Sequence, residues 1–448
     1  MTNPVNVPIS RRRDDIDNLR NFLTGLVVVH HTGVAYGGPG GWYYHSPLFP
    51  PLGSPLVTIF EAVNQSFFMG LFFWVSGLMS AQSLRRWPTG VFVKRKIIRL
   101  GIPSVIYTLL LQPITICMVH AGWDLQLIAK EFTYYYRGLR GIQGPTWFPA
   151  LLLVFDLCTA GIEQLRSRQS PEMRDTRPPL ASWYRVISRW GWLVVAVTCF
   201  LIRLIYPVGQ TTSYIIALLP GYVPQYIFAY YLGYMAYYVD EPRLVGLLDS
   251  AERPAAIQLD PTSRPEPEAP THDESSQQAP VNPVYKSRPF LYLWGSLTLS
   301  LLAMVLVGVI SGIRDTAGGD DDDSRGGWNI AALGYAFWNE FSFITIGPAL
   351  MAAFSAWYDS PATLWIWQPR YSYAAFLLHP PVIVILDSFL DRILVGELGV
   401  DKWSETSKLW MVLGPIILTF SMGVLGAAAS FVVGRWVVTY VPWVKRAV

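Results

Sequence analysis

The sequence has few charged side chains. They make up 15% of its 448 residues, whereas a soluble domain averages about 25%. Hydrophobic residues make up 52% and occur in long runs, with the charges gathered between the runs. This pattern excludes an ordinary soluble fold, which would need a polar surface along each of its elements. The net charge of +3 is scattered along the chain, which excludes the basic surface that binds nucleic acid.

Residues that form disulfides or bind metals are also scarce. All three cysteines lie inside hydrophobic runs, and the sequence has neither a CxxC motif nor a Cys/His cluster. These positions support neither a disulfide framework nor a zinc site, so we expect no metal. The sequence also lacks a glycine-rich phosphate loop and the HExxH and GxSxG motifs, which removes several common hydrolase and nucleotide-binding classes.

Long hydrophobic runs are what the sequence does contain. A helix needs about 20 apolar residues to cross a bilayer, and many of the 18 Trp and 24 Tyr lie near the ends of such runs, as interfacial aromatic residues do. We predict an all-α polytopic membrane protein with about ten transmembrane helices. The predicted helices cover residues 18–36, 57–80, 98–119, 146–165, 190–207, 213–239, 289–311, 329–356, 371–390 and 408–440. The last run is long for one helix and short for two, which leaves the count open by one.

The distribution of Lys and Arg predicts the orientation in the membrane. With the N-terminus in the cytoplasm, the basic groups Arg11–Arg13 and Lys94–Lys96 fall on the cytoplasmic side, and segment 37–56, which has no Lys or Arg, falls outside. This arrangement follows the positive-inside rule. An even number of spans then places both termini in the cytoplasm. We predict an integral membrane protein of the endoplasmic reticulum or another endomembrane.

One long segment is not hydrophobic. Residues 241–287 are rich in Pro, Ser, Gln and Glu, a composition that cannot bury a core, and we predict a disordered cytoplasmic linker. It separates helices one to six, in residues 1–240, from helices seven to ten, in residues 288–448. No internal repeat relates the two parts, which weakens the prediction of a transporter built from inverted halves.

Ionisable side chains inside the hydrophobic runs indicate function, because they are costly in lipid. Arg20 and His31 lie eleven positions apart on the first helix, almost three whole turns, so they share one face about 16 Å apart. A neutral imidazole near the middle of the bilayer could take a proton from a hydroxyl. The alternative is a structural histidine bonded to a neighbouring helix. His30 points about 100° away and is expected to be structural.

Other polar residues have both a structural and a functional interpretation. Ser76 could line a cavity or permit close helix packing. Arg99 begins a hydrophobic run, where a guanidinium suits an anionic group such as a phosphate. Trp147 is typical of interfacial anchoring. Glu340 lies in mid-span, as does His379, which is followed by two prolines; such a pair interrupts the backbone ladder and is tolerated where helices line a cavity.

These residues fall into an ordered series of motifs. Along the chain, they are Asp17-x-Leu19-Arg20 with Arg20-x10-His31, the run from Phe68 to Gly77, Arg95-x3-Arg99-Leu100-x2-Pro103, Pro145-x-Trp147-Phe148, and Tyr371-Ser372-Tyr373 leading to Leu378-His379-Pro380. In this order the sequence resembles the integral-membrane acyltransferase 3 family, and its long linker resembles fungal members. The resemblance implies about ten helices and the transfer of an acyl group, often acetyl, from a coenzyme A thioester to a hydroxyl.

The resemblance also implies roles for individual residues. His31 would be the catalytic base together with Arg20, and Arg95 and Arg99 would lie near the phosphates of coenzyme A. Trp147 and His379 match motif positions of the family. Together with Ser76 and with Glu340, which is chosen for its position in mid-span, we expect them to complete the substrate site. We therefore expect acyl-CoA as a co-substrate with no tightly bound cofactor, and a small molecule, natural product or glycan as the hydroxyl acceptor. Two alternatives remain open: a transporter or flippase, and an isoprenoid cyclase centred on Glu61 and Glu340.

Overall fold

The computed structural model describes residues 13–120, 124–139, 141–169, 180–212, 215–239, 283–315, 326–364, 367–397, 399 and 408–441. These residues form eleven helices, short 3₁₀ turns and two isolated β-bridges, which confirms the predicted all-α class. The helices are α1 Asp14–Ala35, α2 Pro55–Arg86, α3 Thr89–His120, α4 Leu125–Gly138, α5 Trp147–Gln169, α6 Leu180–Arg203, α7 Val223–Tyr238, α8 Pro283–Asp315, α9 Ile330–Trp357, α10 Pro369–Arg392 and α11 Lys408–Tyr440.

Eight helices of the described part of the chain are long and apolar enough to cross a membrane: α2, α3, α5, α6 and α8 to α11. Two further predicted spans, α1 and α7, do not meet that standard. Helix α7 has 16 residues and measures about 24 Å, less than the ~30 Å of a hydrocarbon core. Helix α1 is interrupted by polar side chains, many of them buried. Both helices pack inside the bundle, where neighbouring helices cover their polar groups.

Helix α4 was not predicted. It is amphipathic and packs along the later part of α3, where the hydroxyl of Tyr135 donates to the carbonyl of Thr108 at 2.6 Å and that of Tyr136 donates to the carbonyl of Leu109 at 2.5 Å. Both carbonyls belong to a π-helical turn of α3, Tyr107–Leu111. Burial raises the pKa of Tyr135 to about 12, so its hydroxyl stays protonated and remains a donor.

Several predicted helix boundaries were wrong. Helix α3 begins at Thr89, after Pro88, so the basic residues Lys94–Lys96 are helical. Helix α7 begins ten residues after the predicted start at 213: residues 215–219 are not helical, and a 3₁₀ turn at Pro220–Tyr222 precedes the helix. Proline has no N–H to donate to a preceding turn, which explains a start after Pro220. Helix α8 begins inside the predicted linker, and residues 241–282 of that linker lie outside the described part of the chain.

Small residues allow α2 and α7 to pack in close contact. A Cβ atom added at Gly77 would lie 2.0 Å from the carbonyl oxygen of Tyr230, and one added at Gly233 would lie 1.9 Å from that of Trp74. No larger side chain fits at either place, so the two backbones touch. The contact holds α7 against the centre of the bundle.

Helices α1 and α10 pack side by side and run parallel. Arg20, Thr24 and His31 of α1 contact Pro369, Ser372 and His379 of α10, so residue numbers rise together along both helices. Two membrane helices run parallel only if an odd number of crossings separates them. The seven predicted crossings α2, α3 and α5 to α9 meet this condition, which supports counting the short α7 among them.

Helix α10 continues through Pro380 and Pro381 without a break. The prolines remove two backbone donors, as expected from the sequence, yet tertiary packing keeps the helix intact. Besides α1 on one side, α11 approaches so closely that a Cβ atom added at Gly434 would lie 2.8 Å from the backbone nitrogen of Ala375.

Candidate active site

Two histidines meet at the contact of α1 with α10. The Nδ1 atom of His31 lies 2.8 Å from the Nε2 atom of His379, and the two rings are almost parallel, with an angle of 1° between their planes. His379 is fully buried, whereas His31 is partly exposed. The pair therefore has a buried member, His379, and a partly exposed member, His31.

The protonation of the pair follows from the contact of His379 with a backbone carbonyl. The Nδ1 atom of His379 lies 2.5 Å from the carbonyl oxygen of Phe376. A carbonyl only accepts, so this nitrogen carries the proton, and the Nε2 atom of neutral His379 is an acceptor. His31 must then donate from Nδ1. The Nε2 atom of neutral His31 consequently has a free lone pair, as a base requires.

A loop residue covers the imidazole pair. The indole ring of Trp42 stacks on His31, with ring centroids 4.1 Å apart and an angle of 11° between the planes. The next two residues attach the loop to two helices: the hydroxyl of Tyr43 donates to Gln112 of α3, and that of Tyr44 donates to Asp391 of α10 at 2.6 Å. Burial raises the pKa of Tyr44 above its usual range, and the bond to Asp391 raises it further, so the hydroxyl remains a donor.

His30 occupies a different environment, as predicted from the helical wheel. It is buried, and its ring centroid lies 5.1 Å from that of Phe68. The bond to His379 belongs to His31 alone. The two adjacent histidines therefore face different neighbours.

Arg20 lies at the other end of the same face of α1. Its Nη2 atom donates to the carbonyl of Pro369 at 3.1 Å and lies 3.3 Å from Asp17. The shared face predicted for Arg20 and His31 is thus confirmed by the contacts of both residues with α10. Arg20 holds the beginning of α10 against α1 and does not contact the imidazole pair.

The predicted phosphate-binding residues lie along the first half of α3. Arg99 belongs to a π-helical turn, Ile97–Gly101; its side chain is exposed and interacts electrostatically with Tyr373 of α10 and Asp156 of α5. This places it beside the helix that carries His379. The guanidinium of Arg95 lies over the ring of Trp87, 4.4 Å from the centroid, and is exposed at the surface of the bundle.

An ion pair close to Arg99, between Lys96 and Asp156, was not predicted. The Nζ atom of Lys96 lies 2.7 Å from Asp156, which is fully buried and also accepts from Tyr230 at 2.7 Å. Lys96 donates in addition to Ser80 at 2.8 Å. The pair joins α2, α3, α5 and α7 and fixes the first part of α3. Its sequence signal was a lysine in a short basic run, which the positive-inside rule explained equally well.

The remaining predicted residues lie farther from the histidines. Trp147 stacks on Tyr226 with ring centroids 5.5 Å apart, and the ring of its neighbour Phe148 lies 5.6 Å from that of Phe376. Trp147 thus belongs to an aromatic cluster behind the residue that binds His379. Ser76 is partly exposed on α2, close to the α2–α7 contact.

Glu340 belongs to a separate buried cluster on α6, α7 and α9. Its carboxylate accepts from Asn339 at 2.8 Å and from Gln225 at 3.2 Å, and the thiol of Cys199 lies at 3.7 Å. The buried side chain of Arg203 interacts with it electrostatically. These partners come from the protein itself, so Glu340 does not join the His31 site as the sequence had predicted.

The sequence pattern of the acyltransferase 3 family, described as an acyltransferase domain, matches residues 13–435. The chain belongs to the acyltransferase 3 family. This acyltransferase is therefore a multi-pass integral membrane enzyme that has an acyl donor and an acceptor. No curated protein and no solved structure matches it significantly. Among the described residues of the acyltransferase, no group of His, Cys, Asp and Glu is arranged to hold a metal ion.

Sequence reasoning missed Trp42 and the role of the carbonyl of Phe376. A tryptophan in a polar loop resembles an interfacial anchor, so only the fold could show that it covers His31. The carbonyl had a signal: Pro380 stands four residues after Phe376, where a helix would otherwise supply the donor to this carbonyl.

Proposed function

We propose that the protein is an O-acyltransferase that moves an acyl group, most simply acetyl, from acyl-CoA to a hydroxyl acceptor. The observation that carries this proposal is the bonded pair of His31 and His379, which leaves the Nε2 lone pair of His31 free on the accessible side. A base held in one tautomer by a second group is the arrangement that activates hydroxyl nucleophiles. Here a neutral histidine replaces the carboxylate that orients the base in serine hydrolases.

The reaction follows from this geometry. His31 Nε2 takes the proton of the acceptor hydroxyl while the oxygen attacks the thioester carbonyl carbon. The tetrahedral intermediate collapses, the carbon–sulfur bond breaks, and the leaving thiolate takes the same proton back from His31. The products are an ester and free coenzyme A. His379 remains neutral throughout and accepts the Nδ1 hydrogen bond of His31, which becomes stronger when His31 is positively charged.

The donor is proposed to approach from the predicted cytoplasmic face. Arg99 is accessible there and lies beside Tyr373 of α10, on the helix that carries His379. Coenzyme A is a soluble polyanion, and a guanidinium can bind a phosphate through two hydrogen bonds. Arg95, one helical turn earlier and exposed, would add to the positive potential. We therefore propose acyl-CoA as a co-substrate that leaves after each turnover.

The cyclase alternative requires a pair of acids at the reaction centre. Glu61 of α2 packs against the backbone of Gly33 and Gly38 at the end of α1, whereas Glu340 is bonded to Asn339 and Gln225. The two carboxylates therefore face different helices. This arrangement favours the histidine-centred reaction over one centred on these acids.

The proposal includes the arrangement in the cell. We place the protein in the endoplasmic reticulum or another endomembrane, with both termini in the cytoplasm. Residues 1–240 and 288–448 would form the bundle, and 241–287 would connect them. The contact of α1 with α10 supports a single bundle built from both parts, because one histidine comes from each.

The proposal can be tested with deuterated acetyl-CoA. Membranes containing the protein are incubated with it and with total extracts of the cells that make the protein, and the products are analysed by mass spectrometry. We expect a metabolite heavier by one deuterated acetyl group, absent with His31→Ala membranes. Equal labelling by wild-type and His31→Ala membranes would contradict the proposal. A label found on the protein itself, with no labelled metabolite in the extract, would contradict it as well.

A further inference from the structure

We propose that Pro380 is a positioning residue that fixes the proton arrangement of both histidines. The proposal deepens the function given above and rests on it. It starts from one juxtaposition: the carbonyl that binds His379 belongs to Phe376, and the residue four positions later is a proline inside a continuous helix.

The position of this proline matters because of how helices are bonded. In an α-helix the carbonyl of each residue accepts from the N–H four residues later, and proline has no N–H. Pro380 therefore leaves the carbonyl of Phe376 without its usual donor. Phe376 is only 5% exposed and His379 is fully buried, so water does not replace that donor readily, and an unpaired buried carbonyl is costly. The Nδ1–H of His379 fills the gap.

The direction of the hydrogen bond between the two histidines decides whether His31 can act as a base. Two neutral arrangements of the pair are possible. In one, His379 carries its proton on Nδ1 and accepts from His31, which leaves Nε2 of His31 free. In the other, His379 carries its proton on Nε2 and donates to His31, whose own proton must then lie on Nε2, where it blocks the lone pair. The carbonyl of Phe376 can accept a hydrogen bond but cannot donate one, so it selects the first arrangement.

Pro381 provides a matched control. It stands in the same helix and also lacks an N–H, but the carbonyl that it deprives belongs to Leu377. None of the hydrogen bonds found among the described residues joins that carbonyl to either histidine. Any general effect of a proline on the helix applies equally to both positions, whereas an effect on proton arrangement applies only to Pro380.

The test compares Pro380→Ala with Pro381→Ala. In the first variant, the backbone N–H restored at position 380 competes with His379 for the carbonyl of Phe376. We expect kcat for transfer from deuterated acetyl-CoA to fall about five- to tenfold, the equivalent of one hydrogen bond, with the KM for acetyl-CoA unchanged. Pro381→Ala should stay within about twofold of the wild type. Equal losses in both variants, or none in Pro380→Ala, would overturn the proposal.

A spectroscopic measurement keeps the proposal testable if Pro380→Ala fails to insert. The sequence has only six histidines, so ¹⁵N-histidine labelling of the full chain in lipid nanodiscs gives a short set of signals, assigned by His31→Ala and His379→Ala. In the wild type we expect both residues to carry the proton on Nδ1. A proton on Nε2 of His379 would overturn the proposal. If His31→Ala remained active while both residues carried Nδ1 protons, the proposed function would fail and the tautomer assignment would stand.

Discussion

The protein holds two clusters of polar side chains inside its helices, and they are arranged differently. Around Glu340, the carboxylate accepts from Asn339 and Gln225, and its residue is fully buried. Around His31, two hydrogen bonds form a series: His31 donates to His379, and His379 donates to the carbonyl of Phe376. The Nε2 atom of His31 takes no part in this series. In the first cluster, protein donors bind the carboxylate itself, although the amide oxygens of Gln225 and Asn339 have no hydrogen-bond partner among the described residues. In the second cluster, the Nε2 atom of His31 itself is left without a partner from the pair.

This difference shows how a costly polar group in a membrane protein can be interpreted. A position in the middle of a hydrophobic run made both Glu340 and His31 candidates for function, because both side chains are costly in lipid. The number of partners separates them. A group whose hydrogen bonds are completed by neighbouring helices stabilises the bundle, while a group that keeps a lone pair on an accessible side can react. Four experiments test this distinction.

Removing the Nε2 atom of His31 should have the greatest effect. We expect His31→Ala to lower kcat by about 10²–10⁴, the usual contribution of a placed general base, while membrane insertion and acyl-CoA binding persist. Transfer from deuterated acetyl-CoA gives kcat, and binding of a non-hydrolysable acetyl-CoA analogue gives donor affinity.

His30→Ala is the matched control, because this neighbour packs against Phe68 on another face. Its kcat should stay within a few-fold of the wild type. An essential His30 together with a dispensable His31 would show that the wrong histidine has been assigned as the base.

Removing the carboxylate of Glu340 should lower stability and leave kcat nearly unchanged. Glu340→Ala leaves the amides of Gln225 and Asn339 unpaired, and we expect a loss of about 1–3 kcal/mol in the free energy of unfolding. Thermal unfolding in detergent measures this loss, and active-site titration gives kcat per folded molecule, which should stay within about twofold. A stable variant with strongly reduced kcat would place Glu340 in the reaction after all.

A substitution of Arg99 tests the proposed binding of the acyl donor near the His31 site. We expect Arg99→Ala to raise the KM for acetyl-CoA about tenfold, the value of one charge-assisted hydrogen bond, with little change in the KM for the acceptor. Lys94→Ala is the control, because it removes an exposed positive charge from the same helix. Equal increases for the two variants would indicate a general electrostatic attraction and remove Arg99 from a phosphate site.

The smallest effect is expected for the segment between the two parts of the bundle. Deleting residues 255–280 should leave kcat within about threefold, because the segment is polar and has no catalytic constellation. A fluorescent fusion reports insertion, and the acetyl-transfer assay reports kcat. Normal insertion with lost activity would reveal a regulatory or binding segment in place of a tether.

Most of the helices could be predicted from hydrophobic runs, because long apolar segments have few alternatives in a bilayer. The amphipathic α4 could not, since its apolar face is shorter than a span and depends on the π turn of α3 for its partners. The shared face of Arg20 and His31 followed from helical periodicity. That His379 would meet His31 could not be calculated from periodicity, because the contact depends on which of several helices α1 packs against.

The different fates of Glu340 and His379 were also beyond the sequence. Both are single polar residues in hydrophobic runs, and only the arrangement of α6, α7 and α9 shows that Gln225 completes the bonds of Glu340. By contrast, the proton arrangement of His379 was accessible in principle from the adjacent Pro380, once a partner for the imidazole was known.

The imidazole pair joins residues 348 positions apart in the chain. At a synthesis rate of about 5–20 residues per second, the ribosome needs about 20–70 s after making His31 before His379 exists. During that time α1, with its arginine and two histidines, stays in the translocation machinery or the bilayer without the helix that covers its polar face. A nascent chain therefore lacks the imidazole pair until almost the whole protein has been translated, and biogenesis must protect α1 during that time.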